Sequence, residues 1–118
     1  MARDFRLFLF DIVDAISKIE KYLTNHTKES FLADDIIQDA IVRRLQVIGE
    51  AVKNIPEPIK QEFPSIAWKN AAAMRDVVVH NYFGIDSSIA WDTVENDLPI
   101  FKEGLQTVLK KYPLDPHD

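Results

Sequence analysis

The chain contains no cysteine, which excludes disulfides and thiolate metal sites and fits a cytoplasmic setting. It has only three glycines, spread out, and its prolines are confined to a few places, so most of it reads as helical scaffold. No run of about 18 apolar residues occurs, so no membrane span is expected. Met1-Ala2-Arg3-Asp4 lacks the apolar segment of a signal peptide and carries an early acid. A positive balance is also missing. The net charge of −5 argues against a protein that grips nucleic acid over its whole surface, yet a few clustered Arg or Lys would still suffice for a local phosphate-binding cleft.

What is present is apolar periodicity. The 118 residues, 47% apolar, are enough for one domain with a real core. Phe5, Phe8, Leu9, Ile12, Ile16, Ile19 and Leu23 fall at three- and four-residue steps and predict a first helix over about 4–24. Ile37, Ile41, Leu45, Ile48, Val52 and Ile55 predict a second over about Ser30 to Asn54. Gly49 lies inside that pattern, where glycine costs about 1 kcal/mol against alanine, and close approach of another helix would repay it. Pro56-Glu57-Pro58 ends the second helix, and Glu57 to Phe63 suits a short extra one.

A third main helix is expected from Ile66 or Trp68 to Phe83, capped by Gly84. Strand is its rival at Val77-Val78-Val79, because β-branched residues favour extended backbone. Asp86, Ser87 or Ser88 can cap the last helix, about Ser87 to Lys111. There Trp91, Val94, Leu98, Phe101, Leu105, Val108 and Tyr112 form one seam, with Pro99 bending the helix rather than ending it. The expectation is an all-α, antiparallel four-helix bundle with a short extra helix, one domain over 1–112, and a mobile tail over 113–118.

The chemically useful side chains concentrate in Met74 to Gly84, which holds Arg75, Asp76, His80 and Tyr82. On an ideal helix Arg75 and Tyr82 are nearly in line, and Asp76 neighbours His80. Arg75 and His80 point about 140° apart, so a regular helix does not bring them together. A bent Arg side chain, a distorted helix end or a second chain would be needed. Each residue also has an ordinary reading. His80 can be a satisfied helix-end histidine, Arg75 a surface ion pair with a carboxylate, Asp76 a solvated acid, and Tyr82 a core residue with its hydroxyl at the rim. Arg43, Arg44 and Lys53 are either a solvated face or phosphate contacts. His26 and His117 are assigned no function, and no metal-ligand spacing is recognisable.

The pattern Arg-x4-His-x-Tyr resembles the HEPN superfamily, and within it the HepT-type toxins. Arg44-Leu45, Ile48-Gly49-Glu50-Ala51, Ile66-Ala67-Trp68-Lys69, Met74-Arg75-Asp76, His80 to Asp86 and Trp91-x-x-Val94-x-x-Asp97-Leu98-Pro99 follow that family's order and spacing. The resemblance implies a homodimeric HEPN bundle with the motif in a cleft between subunits. It implies a metal-independent RNA endonuclease without a cofactor, in which Arg75 and His80 carry catalysis, supported by Asp76 and Tyr82. The products would be a 2′,3′-cyclic phosphate and a 5′-hydroxyl end. It further implies one half of a type VII-like toxin–antitoxin system. The partner would be an MntA-type nucleotidyltransferase antitoxin that transfers AMP to Tyr82. Two other readings stay open: a non-catalytic HEPN module that binds a nucleotidyltransferase or nucleotide, and a helical dimer with only a structural role.

Overall fold

The computed structural model describes residues 4–77 and 88–114. Among them every regular element is helical. The first helix, α1 (Phe5–Tyr22), starts at Asp4, whose side chain accepts from the Arg6 backbone N–H and so satisfies one of the donors that a helix start leaves free. Its stripe is buried as the periodicity requires: Leu9, Ile12, Ile16 and Ile19 are all in the core. Asn25, in the left-handed region at φ 69°, turns the chain after it.

The expected second helix is divided in two. α2 (Lys28–Leu32) is closed at its start by a reciprocal capping box between Thr27 and Ser30. α3 (Asp35–Lys53) begins again at Asp34, whose carboxylate accepts from the N–H groups of Ile36 and Ile37. The turn between them is held from inside. Gln38 is fully buried and donates from Nε2 to the carbonyl oxygens of Phe31 and Leu32, at 3.0 and 3.1 Å. An aspartate cap competes with a continuous helix, and the buried amide consumes the carbonyls that would otherwise carry it on.

α3 is the centre of the bundle and touches α1, α2 and the segment that follows α4. α4 (Glu57–Glu62) is the short extra helix, with Pro58 in its first turn. α5 (Trp68–Ala72) then passes into one 3-10 turn over Ala73–Asp76. Val77 leaves that turn with φ −70° and ψ 126°, which is extended backbone. The helix expected to reach Phe83 therefore ends at Asp76. The reason is the one weighed against it: a β-branched residue at the start of the Val77-Val78-Val79 run takes extended backbone more readily than another helical turn. Gly84 as a helix stop, and Asp86 and Ser87 as caps, lie outside the described residues.

α6 (Ser88–Asp92), a π turn (Thr93–Asp97) and α7 (Leu98–Lys111) make one helical run that passes through Pro99. Proline cannot donate to the ladder, and its ring collides with the carbonyl four residues back; the wider π turn lies where that conflict falls. The seam stays in phase across it, with Val94, Leu98, Phe101, Leu105 and Val108 buried. Trp68 packs edge-on against Phe101 at 6.1 Å and donates from Nε1 to the Phe63 carbonyl. Trp91 packs against Phe31. Both tryptophans are thus core contacts.

The far end is tied by Glu62, which accepts from Lys111 Nζ and from the Tyr112 hydroxyl. The hydrogen bond from Lys111 pulls the Glu62 carboxyl below its ordinary value, while the Glu62 carboxylate raises both Lys111 and Tyr112. Leu114 packs against the core, and residues 115–118 of the expected tail lie outside the described residues. No helix among the described residues is long and apolar enough to cross a membrane.

Candidate active-site cleft

Gly49 decides where Arg75 sits. The backbone of Ala72–Arg75 crosses α3 directly over it, so closely that a Cβ at position 49 would lie 2.7 Å from the Ala72 carbonyl oxygen and 2.3 Å from the Arg75 nitrogen. The sequence cost of that glycine is therefore repaid by close approach of another backbone. The next residue on α3 is Glu50. Its Oε2 accepts from Arg75 Nη1 at 3.3 Å, while Arg75 Nε lies 3.7 Å from Asp76 Oδ1. The guanidinium is thus bracketed by two carboxylates at the surface. The ordinary reading of Arg75 as half of a surface ion pair is present in the structure.

These residues line a cleft of about 460 Å³ between α1, α3 and the 3-10 turn. Arg75 and Asp76 form one side. Arg43, Gln46, Val47, Glu50, Ala51 and Asn54 of α3 form the floor, and Phe8 and Asp11 of α1 form the other side. The α3 positions recur at three- and four-residue steps, which puts them on one face. Asn54 donates from Nδ2 to the Glu50 carbonyl and closes the end of the helix there. Among the described residues three carboxylates and two guanidiniums line the cleft, Asp11, Glu50 and Asp76 against Arg43 and Arg75.

Of the three basic candidates on α3, Arg43 alone lines this cleft, two helical turns or about 10 Å along the axis from Glu50. Arg44 is half-buried, its Nε enclosed without a hydrogen-bond partner among the described residues. Lys53 is exposed and does not line the cleft. His80 and Tyr82, the candidates for acid–base chemistry and modification, lie outside the described residues. Among the described residues no group of three or more His, Cys, Asp or Glu could hold a metal ion.

Gln46, Asn54 and the partner of Glu50 stand outside the Met74–Gly84 motif in the sequence and join it only in the fold. The signal for the α3 members was available. The spacing that marks the core stripe also puts positions 43, 46, 47, 50 and 54 on a neighbouring face. Phe8 packs against the core as its place in the α1 stripe requires and lines the cleft as well.

The model of the family described as "Ribonuclease HepT-like" matches residues 12–108, most of the chain. The chain belongs to the HepT-like ribonuclease family. A Thermococcus cleftensis protein named "Probable ribonuclease HepT" is 41% identical over 110 residues, which is 93% of this chain and all of that one. A "Putative RNase" of Methanocaldococcus jannaschii is 40% identical over 92% of this chain and 89% of its own length. A "Gamma-glutamylcyclotransferase and putative RNase" of the same organism is 35% identical over 94% of this chain, which spans half the length of that relative. No solved structure matches. The all-α HEPN architecture is the fold of this HepT-like chain, and the residues matched include the whole floor of the cleft and Arg75.

Proposed function

We propose that this HepT-like chain is a metal-independent RNA endonuclease that cleaves in the cleft beside Arg75. Membership of the ribonuclease family over residues 12–108 is the observation that carries the reading. Its support in the geometry is a groove with Arg75 at its edge, its backbone seated against Gly49. Arg75 is permanently charged and fork-shaped, so it holds the scissile phosphate and the charge that develops on it. His80, whose ordinary pKa is near 6.5, takes the proton of the 2′-hydroxyl or returns one to the leaving 5′-oxygen. Asp76, 3.7 Å from Arg75 Nε, supports the Arg, and Tyr82 stacks on a base or guides the strand. The 2′-oxygen bonds to phosphorus as the bond to the 5′-oxygen breaks, giving a 2′,3′-cyclic phosphate and a 5′-hydroxyl. Arg43 extends the phosphate track along the floor, with Arg44 and Lys53 as outlying basic contacts. A homodimer would place a second copy of the motif across the cleft.

In the cell this is the toxin half of a type VII-like toxin–antitoxin system, a single HEPN domain through residue 112 acting in the cytoplasm. The antitoxin is an MntA-type nucleotidyltransferase that transfers AMP from ATP to the Tyr82 hydroxyl. A bulky anion there repels RNA from the cleft.

Two experiments test this. Cleavage of RNA by the purified chain should fall about 10²- to 10⁴-fold in His80→Ala. Intact mass after co-expression with a neighbouring nucleotidyltransferase gene should rise by AMP units on the peptide containing Tyr82. Unchanged cleavage in the His80 variant would sink the mechanism; no added mass would sink the modification. The second reading is a non-catalytic HEPN module that binds a nucleotidyltransferase or a nucleotide. The ion pair that already occupies Arg75 and the excess of carboxylates in the cleft favour it. Wild-type protein without cleavage, forming a stable complex with the partner, would establish that reading instead.

A further inference from the structure

We propose that Glu50 is a positioning residue that occupies the phosphate place on Arg75 and yields it to substrate. The inference rests on the reading of this cleft as the RNA site. Glu50 follows Gly49 on α3, and Arg75 is seated on Gly49 by its backbone, so the two side chains start from a fixed separation. The carboxylate reaches Arg75 Nη1 at 3.3 Å with one oxygen, Oε2. A carboxylate oxygen and a phosphate oxygen offer the same acceptor to a guanidinium fork. Without RNA, Glu50 therefore keeps the long Arg75 side chain in the cleft instead of leaving it to sample solvent.

The pair is also built to be exchanged. The side chains of Arg75 and Glu50 are 39% and 60% exposed. An ion pair in that setting shifts an equilibrium by only about one-and-a-half- to fivefold. Asp76 is held more loosely still, at 3.7 Å. Among the described residues the carboxylate of Glu50 stands where a phosphate oxygen would meet Arg75, so a polyanion gains little from this guanidinium until Glu50 leaves it. The Glu50 backbone is fixed in α3, where its carbonyl accepts from Asn54 Nδ2. Its carboxylate leaves by rotating its side chain toward solvent, and no helix moves.

The test is a binding cycle followed by kinetics. The probe is a short fluorescent single-stranded RNA of mixed sequence carrying 2′-O-methyl groups, which leave no hydroxyl to attack. At about 50 mM salt, Glu50→Gln should bind it about two- to fivefold tighter than wild type. The gain should vanish when the same change is made in Arg75→Ala. With cleavable RNA, Glu50→Gln should lower KM and keep kcat, since residue 50 has already left Arg75 once the phosphate is bound. Glu50→Ala should also keep kcat but gain less in KM than the Gln variant, because in the free protein Arg75 is then left to sample solvent. A merely structural role would not separate KM from kcat in this way. The inference is overturned if Glu50→Gln binds no tighter, if it gains as much without Arg75, or if neither protein binds RNA. Absence of cleavage by wild type, with the binding cycle intact, overturns the ribonuclease reading alone.

Discussion

A methyl group on Gly49 would lie 2.3 Å from the backbone nitrogen of Arg75 and 2.7 Å from its Cβ. The first contact is with backbone, so no side-chain rotation can relieve it. In Gly49→Ala two effects oppose each other. Alanine gains about 1 kcal/mol of helix propensity, while overpacking a tight contact typically costs about 1–3 kcal/mol and here forces two backbones apart. The clash wins. A net loss of up to about 2 kcal/mol is expected in denaturant unfolding, with RNA cleavage falling further than stability because Arg75 is displaced. A more stable Gly49→Ala protein would contradict this packing.

Arg75→Ala should leave the fold intact, since the ion pairs it loses are exposed and worth at most about 1 kcal/mol. Cleavage should drop about 10²- to 10³-fold, the usual cost of losing one group that stabilises a developing oxyanion. Arg75→Lys should recover only part of it, because an ammonium keeps the charge and loses the fork. Matching unfolding curves beside unequal cleavage rates are the signature to look for.

Gln38→Leu keeps the volume of a fully buried side chain and deletes two hydrogen bonds to the Phe31 and Leu32 carbonyls. The Phe31 carbonyl keeps the Asp34 N–H and the Leu32 carbonyl is only part-buried, so the cost is that of two lost hydrogen bonds, about 1–3 kcal/mol together. The thermal midpoint should fall accordingly, and amide exchange should quicken first in α2 and the first turn of α3.

The Glu62, Lys111 and Tyr112 cluster gives a pH dependence with a definite sign. Glu62 is held below its ordinary 4.5, so its contribution is full above that value and is lost as acid protonates the folded carboxyl. Lys111 and Tyr112 are raised above 10.5 and 10.0, so their contributions are full below those values and are lost as pH climbs through the folded ones. The difference in thermal midpoint between wild type and Tyr112→Phe should therefore be level between about pH 6 and pH 9 and shrink on both sides. A difference that grows toward acid would show that Glu62 does not hold the hydroxyl.

Most of the bundle could be read from spacing, because a helix that buries one face must repeat its apolar residues at threes and fours. The stripes of α1, α3 and α7 needed no other information, and Gly49 announced a close contact by its cost alone. Two boundaries were misjudged for local reasons. Asp34 caps a new helix inside an apparently continuous pattern, and its helper Gln38 is a polar residue in the core, where periodicity counts only apolar ones. Val77 turns extended although the residues before it are helical. The pairing of Glu50 with Arg75 was not legible at all. It joins residues far apart in sequence and depends on how one backbone lies across another.

The segment that carries Arg75 is five residues of α-helix and a single 3-10 turn. So short a helix does not persist in water unaided. Trp68 to Asp76 takes its shape from the surface of α3, a helix that leaves the ribosome before it. That template precedes the segment in synthesis, while Phe101, which packs on Trp68, belongs to α7 and follows it. The seat of Arg75 is therefore complete only once the last helix, α7, has been made and packed.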